Sequence, residues 1–191
     1  VQSRTSPGAE PDPIRAELDS RLSAELASVV AGARRRAVRD GDRQIDTAHL
    51  LHSLLETDPE VRAVFENGAQ VVRLLGYLVQ RSIGYGLQWQ GTVEDSGAVP
   101  VVTSHKETGW SPAAVSAMDV ALERTEVRGD PRALGMDLLA GLTADPECRA
   151  VEVLARAGVD VEVLLRRVEA GCRQYVSGGH RFAGGHGSAG V

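Results

Sequence analysis

The sequence predicts an all-α domain made of a duplicated four-helix unit, and three observations carry that prediction. Residues 48–64, AHLLHSLLETDPEVRAV, return as residues 136–151, MDLLAGLTADPECRAV. Apolar residues fall at three- and four-residue spacings through most of the chain, the period of amphipathic helices. Helix start and stop signals stand at matching places in both halves. The copies keep a constant offset: Leu50, Leu51 and Leu54 reappear as Leu138, Leu139 and Leu142, and Gly41-Asp42 as Gly129-Asp130. After a one-residue deletion, Asp58-Pro59-Glu60 and Arg62-Ala63-Val64 reappear as Asp145-Pro146-Glu147 and Arg149-Ala150-Val151. Such self-similarity marks an internal duplication.

A chain of 191 residues is one large domain or two small ones. A single copy of about 60 residues would bury only about 60% of its unfolded surface and be marginal alone. The two copies are therefore expected to pack around one core. A net charge of −5 and an isoelectric point near 5.6 argue against a nucleic-acid binder, whose affinity rests on neutralising phosphates. Arg34, Arg35, Arg36 and Arg39 read as a solvated helix face. No apolar run approaches about 18 residues, so neither a membrane span nor a secretory leader is expected. Cys148 and Cys172 form no CxxC pair and no disulfide framework, and a cytoplasmic location is the expectation.

Residues 1–13 are polar and proline-rich and read as a disordered arm. From Ile14 a stripe of Leu18, Leu22, Leu26, Val29, Val30, Ala33 and Ala37 predicts one helix ending at Gly41. Asp46 or Thr47 caps the second, carrying Leu50, Leu51, Leu54 and Leu55. Asp58-Pro59 starts a short third that stops by Gly68, and a fourth runs from Gln70 to about Ser82. In the second copy Ser111-Pro112 opens a helix ending at Gly129, Leu134–Thr143 forms the next, Asp145-Pro146 starts a third ending at Gly158, and Asp160 caps the last. That gives eight helices in two sets of four: repeat one at 18–82 and repeat two at 111–172, within a domain spanning 14–172. In the linker, 83–110, Tyr85, Leu87 and Trp89 alternate with small or polar residues before a Glu94-Asp95-Ser96-Gly97 turn signal. That pattern reads as a small β-hairpin or an extended strap. From 173 to 191 the glycine-rich sequence reads as a flexible tail.

The double repeat resembles the Clp N-terminal (Clp-N, or Clp repeat) domain of the ClpA and ClpC unfoldases. Leu22-Ser23 and Trp110-Ser111-Pro112 look like the family's two repeat openings. Ile45-Asp46-Thr47-Ala48-His49-Leu50-Leu51 looks like its first signature, and Gly135-Met136-Asp137 like a degraded second. Ser23 to Thr47 and Ser111 to Gly135 share one spacing, and the resemblance covers about residues 18–172. It implies two pseudo-symmetric four-helix repeats packed as one domain. It also implies that each repeat offers a hydroxyl and a signature glutamate, which together bind phosphoarginine on tagged substrates. On that basis Ser23, Thr47, His49 and Ser111 are the candidate binding residues. The glutamates themselves are replaced by Ala48 and Met136, so the guanidinium loses its ion-pair partner, and helix capping is the preferred role for Ser23 and Ser111.

Catalytic motifs are missing from the sequence. Lys106 is the single lysine and has no glycine-rich approach, so no Walker A loop is present. Ser188 lies in HGSAG without the nucleophile-elbow pattern, and there is no HExxH. Asp46, His49 and His52 recur along one helix, but the last drifts off the face, and no metal is expected there. The expectation is a non-catalytic binding module without a cofactor: a stand-alone Clp-N protein acting as an accessory or adaptor-like factor of a Clp chaperone–protease system. Its partners would be Clp protease or unfoldase subunits, or their substrates and adaptors, with no nucleic acid and no membrane. The alternatives are an excised N-terminal domain of a full Clp ATPase and a hydrolase with an unrecognised site.

Overall fold

The computed structural model describes residues 13–82, 94 and 109–179. Among these residues there are nine helices, and no strand beyond two isolated bridges. The long first helix predicted from Ile14 is instead two, α1 (Pro13–Ser20) and α2 (Ala24–Asp40). The break falls at 21–23 because that backbone bonds to the other repeat. Ala133 donates to the Arg21 carbonyl at 2.8 Å, and Ser23 donates to the Ala133 carbonyl at 2.9 Å. Ser23 then restarts the helix, its hydroxyl accepting the Leu26 amide at 3.1 Å. Leu22 and Leu26 are buried on either side of the break, which is why the apolar stripe reads as continuous.

Repeat one continues through α3 (Thr47–Thr57), α4 (Pro59–Ala63) and α5 (Gly68–Ser82). Repeat two has α6 (Pro112–Arg128), α7 (Gly135–Leu142), α8 (Arg149–Arg156) and α9 (Val161–Gly179). Gly41 and Gly129 close α2 and α6 with φ of +74° and +73°, the left-handed conformation that a glycine cap adopts without steric penalty. Asp160 caps α9 by accepting the Val163 amide at 2.9 Å. Helix α8 begins at Arg149, later than the Asp145-Pro146 signal predicts. Helix α9 runs on to Gly179, into the stretch read as a tail.

Helices α3 and α7 form the centre. Every residue from Thr47 to Leu55 and from Gly135 to Leu142 is buried, as expected of helices covered on all sides. Leu50, Leu51, Leu54 and Leu55 join Leu138, Leu139 and Leu142 in one apolar cluster that draws on both repeats. Each such leucine contributes about 1.5–3 kcal/mol through burial, so the expected shared core is present. The copies are related by an approximate two-fold arrangement. Leu22 bridges Ala133, and the residues 88 positions away, Trp110 and Ile45, bridge in the same parallel sense. Gly141 lets α7 approach α6, since a Cβ there would overlap the Ala117 backbone.

The β-hairpin read over 83–110 lies outside the described residues apart from Glu94, Gly109 and Trp110; so do residues 1–12 of the arm read at 1–13, whose Pro13 opens α1, and residues 180–191 of the tail read at 173–191. Among the described residues no helix is long and apolar enough to cross a membrane.

Candidate functional site

The four candidate binding residues fall in two places, and the pairing crosses between repeats. Each opening hydroxyl lies beside the signature of the other copy rather than its own. Ser111 donates its amide to the Ile45 carbonyl at 2.8 Å, which sets it beside Thr47. Ser23 is held to Ala133 in the same manner, two residues before Gly135. Both hydroxyls cap helices, Ser111 accepting the Ala114 amide at 3.1 Å.

Between Ser111 and Thr47 lies a residue that the sequence pattern marks only as the start of a turn. Glu94 is 5% exposed, and each of its carboxylate oxygens accepts two hydrogen bonds. Oε2 takes the Thr47 amide at 2.8 Å and the Ser111 hydroxyl at 2.8 Å. Oε1 takes the Arg149 amide at 2.8 Å and the Thr47 hydroxyl. A carboxylate at two helix N-termini is favourably placed in charge as well as in hydrogen bonding.

This arrangement follows from a gap in helix α8. Its N-cap residue, Cys148, has no side-chain oxygen to offer, and its thiol donates instead to the Leu142 carbonyl at 3.3 Å. The first amides of α8 are served from outside: Arg149 by Glu94, and Ala150 by the Thr47 hydroxyl at 3.0 Å. In repeat one the corresponding short helix caps itself. Asp58 accepts the Glu60 and Val61 amides at 2.9 and 3.1 Å, and its other carboxylate oxygen lies against Gly135, the equivalent of Thr47, where a Cβ would overlap it.

His49 belongs to the frame of α3. Its Nδ1 accepts the Asp46 amide at 3.2 Å while Asp46 accepts the His49 amide at 2.8 Å, a reciprocal capping box. Nε2 lies 3.2 Å from the Asp42 carboxylate. Asp46 also pairs with Arg81 of α5 and, at 2.6 Å, with Arg149 of α8. Burial pushes the Asp46 carboxyl up, but the hydrogen bonds and charge of His49 and the Arg81 charge outweigh it and hold the group well below the usual carboxylate range. Asp42, Asp46 and His49 are close enough together to surround an ion. Their facing atoms are already engaged, however, since Arg81 bonds both carboxylates. His52 points elsewhere, between Arg36 at 3.3 Å and Glu56 at 3.2 Å.

The positions expected to hold signature glutamates are both buried and apolar, Ala48 fully and Met136 at 7% exposed. In repeat two the place of His49 is taken by Asp137, fully buried and bonded by Arg128 at 2.7 Å and by the Leu134 amide at 3.0 Å. Beside Thr47 and Cys148 a groove of about 480 Å³ runs between α6 and the start of α8, lined by Ala113, Ala117, Asp145 and Glu147. Both thiols are buried, and burial pushes Cys148 and Cys172 up, away from the reactive thiolate form.

Several solved structures share this fold. The N-terminal domain of the caseinolytic protease associated chaperone ClpD from Arabidopsis thaliana superposes with a TM-score of 0.55 at 15% identity, covering 80% of this chain and 95% of that one. The Hsp104 N-terminal domain from Candida albicans gives 0.56 at 13% identity, covering 77% and 88%. A protein described under a malarial protein secretion system gives 0.57 at 15% identity, covering 83% and 97%. No family profile matches the sequence, and no curated protein does. The fold is Clp-N-like, all-α and duplicated.

Proposed function

We propose that this domain is a non-catalytic protein-binding module of a Clp-type chaperone–protease system, acting in the cytoplasm as an accessory or adaptor-like factor. The observation that carries the reading is the likeness to the N-terminal domains of ClpD, described as a caseinolytic protease associated chaperone, and of Hsp104, over most of both chains. The site adds to it: Asp46, Thr47, Glu94 and Ser111 are engaged in capping helices and joining the repeats, and both thiols are buried. Its partners are Clp protease or unfoldase subunits, or the substrates and adaptors that they handle. Phosphoarginine recognition is not part of this role, because Ala48 and Met136 supply no carboxylate and the Ser111 hydroxyl already donates to Glu94. A second reading, an N-terminal domain cut from a longer unfoldase, draws on the same likeness, since the ClpD and Hsp104 neighbours are themselves N-terminal domains.

The test is a pull-down with the purified chain from lysate of its own source, read by mass spectrometry. Enrichment of Clp protease or unfoldase subunits over a scrambled-surface control supports the role. Recovery without Clp components overturns it.

A further inference from the structure

Helices α2 and α6 run in opposite senses. Arg21 and Ser23, which precede α2, bond Ala133 beyond the end of α6, and Ser111 at the start of α6 bonds Ile45 beyond the end of α2. Their C-terminal turns are therefore set apart by about 25 Å, the length of a 17-residue helix. These two turns carry opposite chemistry. Arg35, Val38 and Arg39 are exposed on α2, and Glu123, Glu126 and Val127 on α6. Each trio falls at i, i+3 and i+4 on one helix face, and an offset of 88 maps the first onto the second. Each face sets one valine, 77% exposed at Val38 and 82% at Val127, beside two like charges. Arg35 and Glu123 have no ion-pair partner among the described residues. Arg39 and Glu126 pair with Asp40 and Arg21 yet keep 61% and 68% of their side-chain surface exposed. The counter-charges nearby are turned inward, Asp42 to His49 and Arg81, and Arg128 to Asp137. At about 0.1 M salt, charges are screened within about 10 Å, so the two faces do not answer one another inside one chain.

We infer that the chain associates with a second copy of itself, the end of α2 in one copy docking on the end of α6 in the other. Val38 packs on Val127, and Arg35 and Arg39 meet Glu123 and Glu126. Complementary charge selects this pairing, because α2 on α2 or α6 on α6 would set like charges together. The contact joins unlike faces, so each copy retains one of either kind for a further neighbour. One valine a side and exposed ion pairs make the association weak and dependent on salt. The inference stands on these surfaces and does not depend on the Clp reading.

The experiment is a charge swap in the full chain, read by sedimentation equilibrium. The parent is expected to show an average mass that rises with concentration up to about 1 mM in ~20 mM sodium chloride and falls back in ~500 mM, where screening is nearly complete. Arg35→Glu with Arg39→Glu makes both faces acidic, and Glu123→Arg with Glu126→Arg makes both basic. Either variant alone should associate more than about tenfold more weakly than the parent, since like charges now face each other. An equimolar mixture of the two restores opposite signs at every contact and should regain the parent's association. All four positions are exposed, and circular dichroism melts check that each variant is folded. A parent that stays monomeric at low salt, or associates equally at both salt concentrations, overturns the proposal without recourse to any variant. So does a reversal that leaves association intact, or a mixture no heavier than its components.

Discussion

The Thr47 hydroxyl in repeat one accepts the Ala150 amide in repeat two at 3.0 Å. It thereby caps a helix that its own sequence leaves uncapped. Thr47→Val keeps the shape but removes the acceptor for Ala150 and one donor to Glu94. Two buried polar groups are then left short of a partner, each costing about 1–3 kcal/mol. The expected result is a fall in unfolding free energy of about 2–4 kcal/mol, with an unchanged m-value in urea. A loss below about 0.5 kcal/mol would show that the cross-repeat cap is not needed.

The Asp46 carboxylate joins three helices through Arg81 and Arg149. Removing it takes a shared carboxylate from two buried guanidinium groups, although Arg81 keeps Asp42. Asp46→Ala is expected to lose about 3–5 kcal/mol. A triple variant in which Asp46, Arg81 and Arg149 all become apolar should recover much of that loss. Urea unfolding of the three-residue cycle checks both steps, and a triple variant no better than Asp46→Ala would contradict the account.

How much of this was legible in the sequence depends on where each partner lies. The order of the helices from α3 onward and the caps at Ser23, Ser111, Gly41 and Gly129 follow from period and local signals, which act over three or four residues. The break before Ser23 was hidden because its cause, the Ala133 backbone, is 110 positions away. Glu94 has no counterpart in the other copy and bonds residues 47, 17 and 55 positions distant, so the local pattern marks it only as the start of a turn. Arg149 is visible as the copy of Arg62, yet the two differ in role. Arg62 donates to the Leu55 and Glu56 carbonyls of its own repeat, whereas Arg149 reaches across to Asp46. The resemblance paired each hydroxyl with its own signature, and only the packing reveals the exchange.

His52 gives the domain a dependence on mild acid. Burial, and then the Arg36 charge, push its pKa from the ordinary 6.5 down to about 4, against a smaller opposing pull from Glu56. A histidine lowered on folding is neutral in the native state and takes up its proton more readily when unfolded. Its contribution is therefore complete above about pH 6.5 and is lost progressively as pH falls toward 4, at a slope approaching about 1.4 kcal/mol per pH unit. His52→Gln should flatten the stability curve across that window and leave stability above pH 7 nearly independent of pH. Urea midpoints from pH 4 to 8 decide it, and parallel curves for parent and variant would remove His52 as the source.

Gly135 and Asp58 form the counterpart of Thr47 in the other half of the molecule. The Asp58 carboxylate occupies the space that a side chain at 135 would need, so one repeat caps with the acid while the other caps with threonine. Gly135→Thr makes the second signature resemble the first, but it drives a methyl and a hydroxyl into that carboxylate. Overpacking of this kind costs about 1–3 kcal/mol. Asp58→Ser shortens the obstructing side chain and keeps an oxygen able to cap α4, so alone it should cost less than about 1 kcal/mol. Combined, the two changes should be markedly more stable than the sum of their separate losses predicts, a favourable coupling of at least about 1 kcal/mol in a double-mutant cycle. Additive losses would mean that the glycine at 135 serves the backbone of α7 rather than making room for Asp58.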